Sequence, residues 1–211
     1  MKRIALTFDD GPNTVTTPQV LDRLEKYGVT ATFFVEGQYI NGESIPVMKR
    51  ALQLGCKIEN HSYSHNNMAE LGAERIRKEL LDTDALVYFV TGRVPEFFRP
   101  PFISVSDTLY ENVDKTFICG FNAEDWVPAI PAEERAKRIL AQAKDASIIL
   151  LHDMEGNQAT VDALDVIIPS LLKEGYSFMT VDELFRETAV KPEKGQIYTY
   201  LLCKIPFFQL F

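Results

Sequence analysis

Histidine, cysteine and tryptophan are scarce in this sequence. Its 211 residues hold three cysteines, three histidines and one tryptophan. Cys56, Cys119 and Cys203 are odd in number and far apart, with no CxxC spacing. That excludes a disulfide framework and a cysteine-built metal site. Cys56 and Cys119 lie in apolar stretches and are predicted to be buried free thiols. Basic charge is also short: 22 Lys and Arg face 30 Asp and Glu, a net charge of −8. No cationic surplus is available to displace the counterions of phosphates, so nucleic acid is excluded as a partner. A neutral or cationic partner suits this balance better. No apolar run is long enough to cross a bilayer, and there is no internal repeat or low-complexity segment. No secretory leader is expected in the chain as written, since Met1-Lys2-Arg3 runs straight into a strand-like segment. The chain as written is therefore expected to be cytoplasmic, or extracellular or cell-surface if it was trimmed from a longer one.

What is present is ordinary globular material, 46% apolar and 25% charged, enough for one domain with a sizeable core. Short apolar or β-branched runs at 3–9, 30–35, 56–59, 97–98, 117–121, 147–151 and 176–180 read as strands. Between them, apolar residues at helical spacing predict helices. These start at Thr17-Pro18 and stop at Gly28, cover 44–54, 69–90, 132–144 and 158–174, and begin again at Val181. Ser104 to Asp107 has capping-box character and opens a helix to about 113. Strands alternating with such helices predict an α/β fold with a mainly parallel sheet, and about seven units come close to a barrel. Residues 191–211 differ in character. They end in an apolar tail, Tyr198 to Phe211, expected to pack against the domain or a partner chain.

The unusual polar residues all follow a short strand. Asp9 and Asp10 end the first run, just before the turn at Gly11-Pro12. His61 and His65 follow the strand at 56–59, Arg99 follows Phe97-Phe98, Asp125 and Trp126 follow 117–121, and His152 follows 147–151. The carboxyl ends of parallel strands share one face, so these clusters are expected to meet there. All three histidines are among them. His61 and His65, four residues apart, can turn both imidazoles towards one ion. With one carboxylate they leave positions open for water and substrate. Nitrogen and oxygen donors without thiolate suit zinc, and also cobalt, nickel, manganese or iron. Of the two adjacent aspartates, one is read as a metal ligand and the other as a base, because neighbouring carboxylates oppose each other's ionisation unless cations compensate. Arg99, stiffened by two following prolines, can orient an ionised carboxylate. Asp125 can orient His152 through its second ring nitrogen. Trp126 can wall a small apolar group or a sugar ring.

Thr7-Phe8-Asp9-Asp10-Gly11-Pro12, His61-Ser62-Tyr63-Ser64-His65, Arg99-Pro100-Pro101-Phe102, Asp125-Trp126 and Ile148-Ile149-Leu150-Leu151-His152 occur in that order. Together they resemble the five motifs of the polysaccharide deacetylases, the NodB-homology domain of carbohydrate esterase family 4. The resemblance spans about residues 3–185. It implies a distorted (β/α) barrel, a catalytic domain over 1–190, and removal of acetyl groups from a carbohydrate. It also implies a divalent metal, zinc first with cobalt, nickel or manganese as alternatives, held by Asp10, His61 and His65. Asp9 would be the base, Arg99 would hold Asp9, His152 would be the acid and Asp125 would tune it. Leu150 and Trp126 would border the acetyl methyl pocket, and the backbone N–H of Phe102 would face the oxyanion. Two positions depart from the family's pattern. Phe102 stands where Tyr is usual, and Asn122-Ala123-Glu124 lacks an aromatic residue. RPPF and the Asp-Trp pair lean towards acetylxylan esterases, with N-acetylglucosamine in peptidoglycan or chitin-like glycans as the alternative substrate. A non-haem iron oxygenase would also use two His and a carboxylate, but it has no use for the second Asp, the Arg and the His–Asp pair. A sugar-binding protein on an inactive scaffold would be expected to lack one of the polar residues, and none is missing.

Overall fold

The computed structural model describes residues 2–201. Its sheet is parallel throughout its named strands and curls into a distorted barrel. The strands are β1 (Lys2–Gly11), β2 (Thr32–Val35), β3 (Lys57–Asn60), β4 (Phe97–Phe98), β5 (Thr116–Ile118), β6 (Ser147–His152), β7 (Tyr176–Met179) and β8 (Ile197–Tyr198). The helices are α1 (Thr16–Tyr27), α2 (Ile45–Gln53), α3 (Ala73–Thr91), α4 (Asp107–Asn112), α5 (Ala132–Gln142), α6 (Gln158–Lys173) and α7 (Val181–Thr188). The path runs β6-β1-β2-β3-β4-β5-β8, with β7 beside the start of β1. Phe121, just past β5, bridges to Ile149 of β6 and draws the open side together.

Alternation along the strands explains the layers. In β1, Ile4, Leu6 and Phe8 face an outer core that they share with Leu21 and Leu24 of α1 and Leu164 and Ile168 of α6. Ala5 joins an inner core with Phe34, Ile118, Ile148 and the α7 residues Val181, Leu184 and Phe185. Two-residue periodicity then puts Thr7 and Asp9 on the inner face with Ala5. The same rule carries Leu150 and His152 inward from Ile148 in β6. Asp9 is in register with His152 on one side and with Phe34 on the other.

The seven expected strands are all present. β8 was not foreseen, because Ile197-Tyr198 sits at the start of the apolar tail and has no strand signature of its own. It pairs with β5, and Leu201 beyond it is buried. The rest of the tail, 202–211, and Cys203 lie outside the described residues. Ser106, not Ser104, caps α4: its side chain accepts the Leu109 N–H. The capping box instead opens α7, between Thr180 and Glu183. Cys56 is buried, and burial pushes its thiol up to about 11. Cys119, expected to be buried, is only half-buried, one residue past the end of β5. Among the described residues no helix is long and apolar enough to cross a membrane.

Candidate metal centre and active site

Two adjacent residues on a regular strand point to opposite faces, so Asp9 and Asp10 cannot both face the barrel mouth without a local irregularity. The structure supplies one. Between Asp9 and Gly11 the register of β1 against β2 slips, and Asp10 takes φ 72°. The extra residue is a bulge, which re-aims a side chain at the end of a strand. Gly11 is then needed for close approach: a Cβ there would meet the Asp153 carboxylate at 2.6 Å.

Asp9 is buried and takes a hydrogen bond from Arg99 Nη1 at 2.6 Å. Arg99 is fully buried, donates through Nη2 to the Cys119 carbonyl, and lies 4.2 Å from the centre of the Phe34 ring. Asp10 faces the two histidines. Its Oδ1 lies 3.3 Å from His61 Nε2 and 3.5 Å from His65 Nε2. That oxygen is buried and has no hydrogen-bond partner. His61 Nδ1 sits 2.6 Å from the Arg99 carbonyl. A carbonyl only accepts, so Nδ1 carries the proton and the Nε2 of a neutral His61 has a lone pair aimed at Asp10. A cation between the two Nε2 atoms and this oxygen would satisfy all three at once. One ligand atom from each of Asp10, His61 and His65 fits within 4.8 Å, so the donor set fits a divalent ion. Burial opposes ionisation of Asp10, but protonated imidazoles in place of an ion, with a His61 bond and three ring charges, outweigh it and lower the pKa to about 2. For His65 burial prevails, aided by the charge of His61, and lowers its pKa.

Opposite the aspartates, His152 Nδ1 donates to Asp125 Oδ1 at 2.8 Å, which leaves Nε2 free. Asp125 is fully buried, and its Oδ2 also accepts the His152 backbone N–H and the Thr160 hydroxyl. Burial pulls the His152 pKa down, but the Asp125 bond and charge, with Asp9 and Asp10 behind them, raise it to about 9. Trp126 stands edge-on to His152 at 5.3 Å, and Phe102 edge-on to His65 at 4.7 Å. Of the site residues named from the sequence, all but the buried Arg99 and Asp125 line one cavity of about 470 Å³, Leu150 among them. Every residue named from the sequence thus gathers around one barrel mouth. Missed were Ile103, Asn122 and Met154, which also line it, and Thr160 on α6, which holds Asp125. Asn122 and Met154 follow strand ends and could have been found by that rule. Thr160 carries no sequence signal.

A parallel α/β barrel with an Asp-His-His donor set and a His–Asp pair across one mouth defines a class of metal-centred barrel proteins. The polysaccharide deacetylase family model matches residues 1–118. Over 191 residues, 90% of this chain, the sequence is 47% identical to a bifunctional xylanase/deacetylase of Pseudobutyrivibrio xylanivorans. This chain spans about a third, 32%, of that protein's length. It is 36% identical over 187 residues, 88% of this chain and 39% of the relative, to a peptidoglycan-N-acetylglucosamine deacetylase of Listeria monocytogenes. The crystal structure of a family 4 acetyl xylan esterase from Clostridium thermocellum, in complex with a cobalt ion, superposes with a TM-score of 0.91 at 43% identity. That match covers 94% of this chain and 98% of the esterase chain. The chain belongs to the polysaccharide deacetylase family, carbohydrate esterase family 4.

Proposed function

We propose that this chain is a metal-dependent carbohydrate deacetylase that hydrolyses O-acetyl esters on xylan-type chains. The observation that carries the reading is the pairing of the Asp10-His61-His65 donor set with two separately held groups, Asp9 on Arg99 and His152 on Asp125. A divalent ion held by Asp10, His61 and His65, with zinc our first choice, would polarise the acetyl carbonyl and acidify a water. Asp9, kept in place by Arg99, takes the proton from that water as it attacks. The Phe102 backbone N–H helps hold the developing oxyanion, a role its phenyl ring does not affect. Leu150 and Trp126 give the acetyl methyl an apolar wall. His152 delivers a proton from Nε2 to the departing sugar oxygen, and Asp125 keeps its ring oriented and charged.

Likeness to the xylan-acting relatives favours an ester substrate, while the Listeria relative keeps N-acetylglucosamine glycans as the second reading. Acetate release from acetylated xylan and from N-acetylglucosamine oligomers decides between them, each measured with and without chelator. We expect faster, chelator-sensitive release from xylan. Release from neither substrate contradicts the proposal.

The same arrangement fixes a pH dependence. The acid form of His152 exists below its pKa of about 9, so kcat falls above that pH. Asp125→Asn removes the two largest raising interactions and leaves burial opposed only by Asp9 and Asp10, so the alkaline limb moves down from about 9 towards the ordinary imidazole value of about 6.5. A pH–rate profile of both proteins checks this. An unmoved limb rules out His152 as the acid. Stability follows the same sign. A pKa raised by folding contributes fully below the unfolded value and is lost as pH rises through about 9.

A further inference from the structure

Glu79 is a buried carboxylate on α3, outside every motif named above and outside the cavity. Its Oε2 accepts the backbone N–H of Tyr63 at 3.0 Å and of Ser64 at 2.8 Å. Its Oε1 accepts the Ser64 hydroxyl at 2.8 Å and lies 2.8 Å from Arg75 Nη2. Tyr63 and Ser64 lie between His61 and His65. Two successive N–H groups converging on one anionic oxygen form a nest, a backbone concavity that binds anions. Here the occupant comes from the chain itself.

The loop needs such an anchor. Ser62 has φ 68° and His65 φ 52°, both in the left-handed region. Each is strained and persists only where surrounding contacts impose it. Other contacts hold the loop through its carbonyls and its ends. Asn60 Oδ1 accepts the Ser62 N–H, and Ser62 Oγ accepts the His65 N–H. Gly37 and Gln38 donate to the Ser62 and Tyr63 carbonyls. Only Glu79 among these holds the two amides at the middle, so it fixes the rotation of the segment that sets the two imidazoles against Asp10.

We propose that Glu79 is a positioning residue for the metal centre, an internal anion that holds the His61–His65 loop in its metal-binding shape. This rests on the metal-site reading alone, and its test needs no substrate. Glu79→Gln keeps the volume of the side chain. Its amide, however, offers one acceptor oxygen and a donor group where two oxygens now face donors only. Zinc and cobalt affinities are measured by chelator competition, beside a thermal melt of the metal-free protein. We expect metal binding to weaken about 10- to 100-fold, the range for loss of a partner one step behind a ligand. At saturating metal, turnover recovers to near that of the unaltered protein. A folded Glu79→Gln protein with affinities within about twofold of the unaltered one overturns the proposal, because a purely structural role lowers the melting temperature without moving affinity. Should that variant not fold, Glu79→Asp keeps the charge but falls one methylene short of the two amides. The same weakening is expected of it, and unchanged affinity there is equally decisive.

Discussion

Asp9→Asn is expected to lower turnover by about 10²- to 10⁴-fold, the usual contribution of a positioned general base, while leaving metal affinity nearly intact. The substitution is nearly isosteric. An Asn carbonyl can still accept from Arg99 Nη1, now 2.6 Å from Asp9 Oδ1. What is lost is the negative charge and the basic lone pair on the second oxygen, 3.8 Å from His61 Nε2. Metal affinity survives because Asp9 is not one of the three residues whose ligand atoms converge. Stability pays some of the cost. Arg99 is fully buried, and removing its charged partner leaves a guanidinium with weaker compensation, a change worth about 3–5 kcal/mol when a buried pair is broken outright. Retention of the hydrogen bond keeps the loss below that range. Single-turnover rates and metal content, measured on the same folded preparation, check the expectation. A rate close to that of the unaltered protein excludes Asp9 as the base.

The site was more legible in the sequence than the means of its assembly. Strand ends are marked by composition, and parallel topology sends their carboxyl ends to one face. That suffices to bring Asp9, His61, Arg99, Asp125 and His152 together. It does not suffice for Asp10. Strict alternation would turn one of the two aspartates away, and only the slip in register at Asp10 lets both serve. A bulge depends on how two strands meet, and one strand's sequence does not state it. Glu79 was hidden for a related reason. It stands among the charged residues of an amphipathic helix, and nothing in its spacing separates it from the exposed Arg75 and Lys78 around it. β8 was hidden in a stretch whose apolar character gave no period. In each case the missing information was a contact across elements, the kind a linear pattern cannot hold.

His65→Ala tests the other half of the site, and its expected effect is the opposite: metal affinity collapses. His65 contributes one of the three ligand atoms that converge among the described residues, 3.5 Å from Asp10 Oδ1. Removing it leaves Asp10 and His61, and two ligands are too few to hold an ion that also binds water and substrate. The loss should exceed the roughly 10- to 100-fold expected for a partner one step removed. The fold should tolerate the change. The side chain is partly exposed and packs against the rings of His61 and Phe102. Ala inherits the same left-handed backbone at φ 52°, a strain His65 already bears. Turnover falls with metal content here and recovers in part at high metal concentration, whereas Asp9→Asn stays slow when fully loaded. The contrast between the two variants is therefore the measurement. If both lose metal equally, the aspartates do not divide the work, and the second carboxylate is a ligand like the first. If His65→Ala binds metal as tightly as the unaltered protein, the ion is held elsewhere, and the orphaned Asp10 oxygen needs another partner.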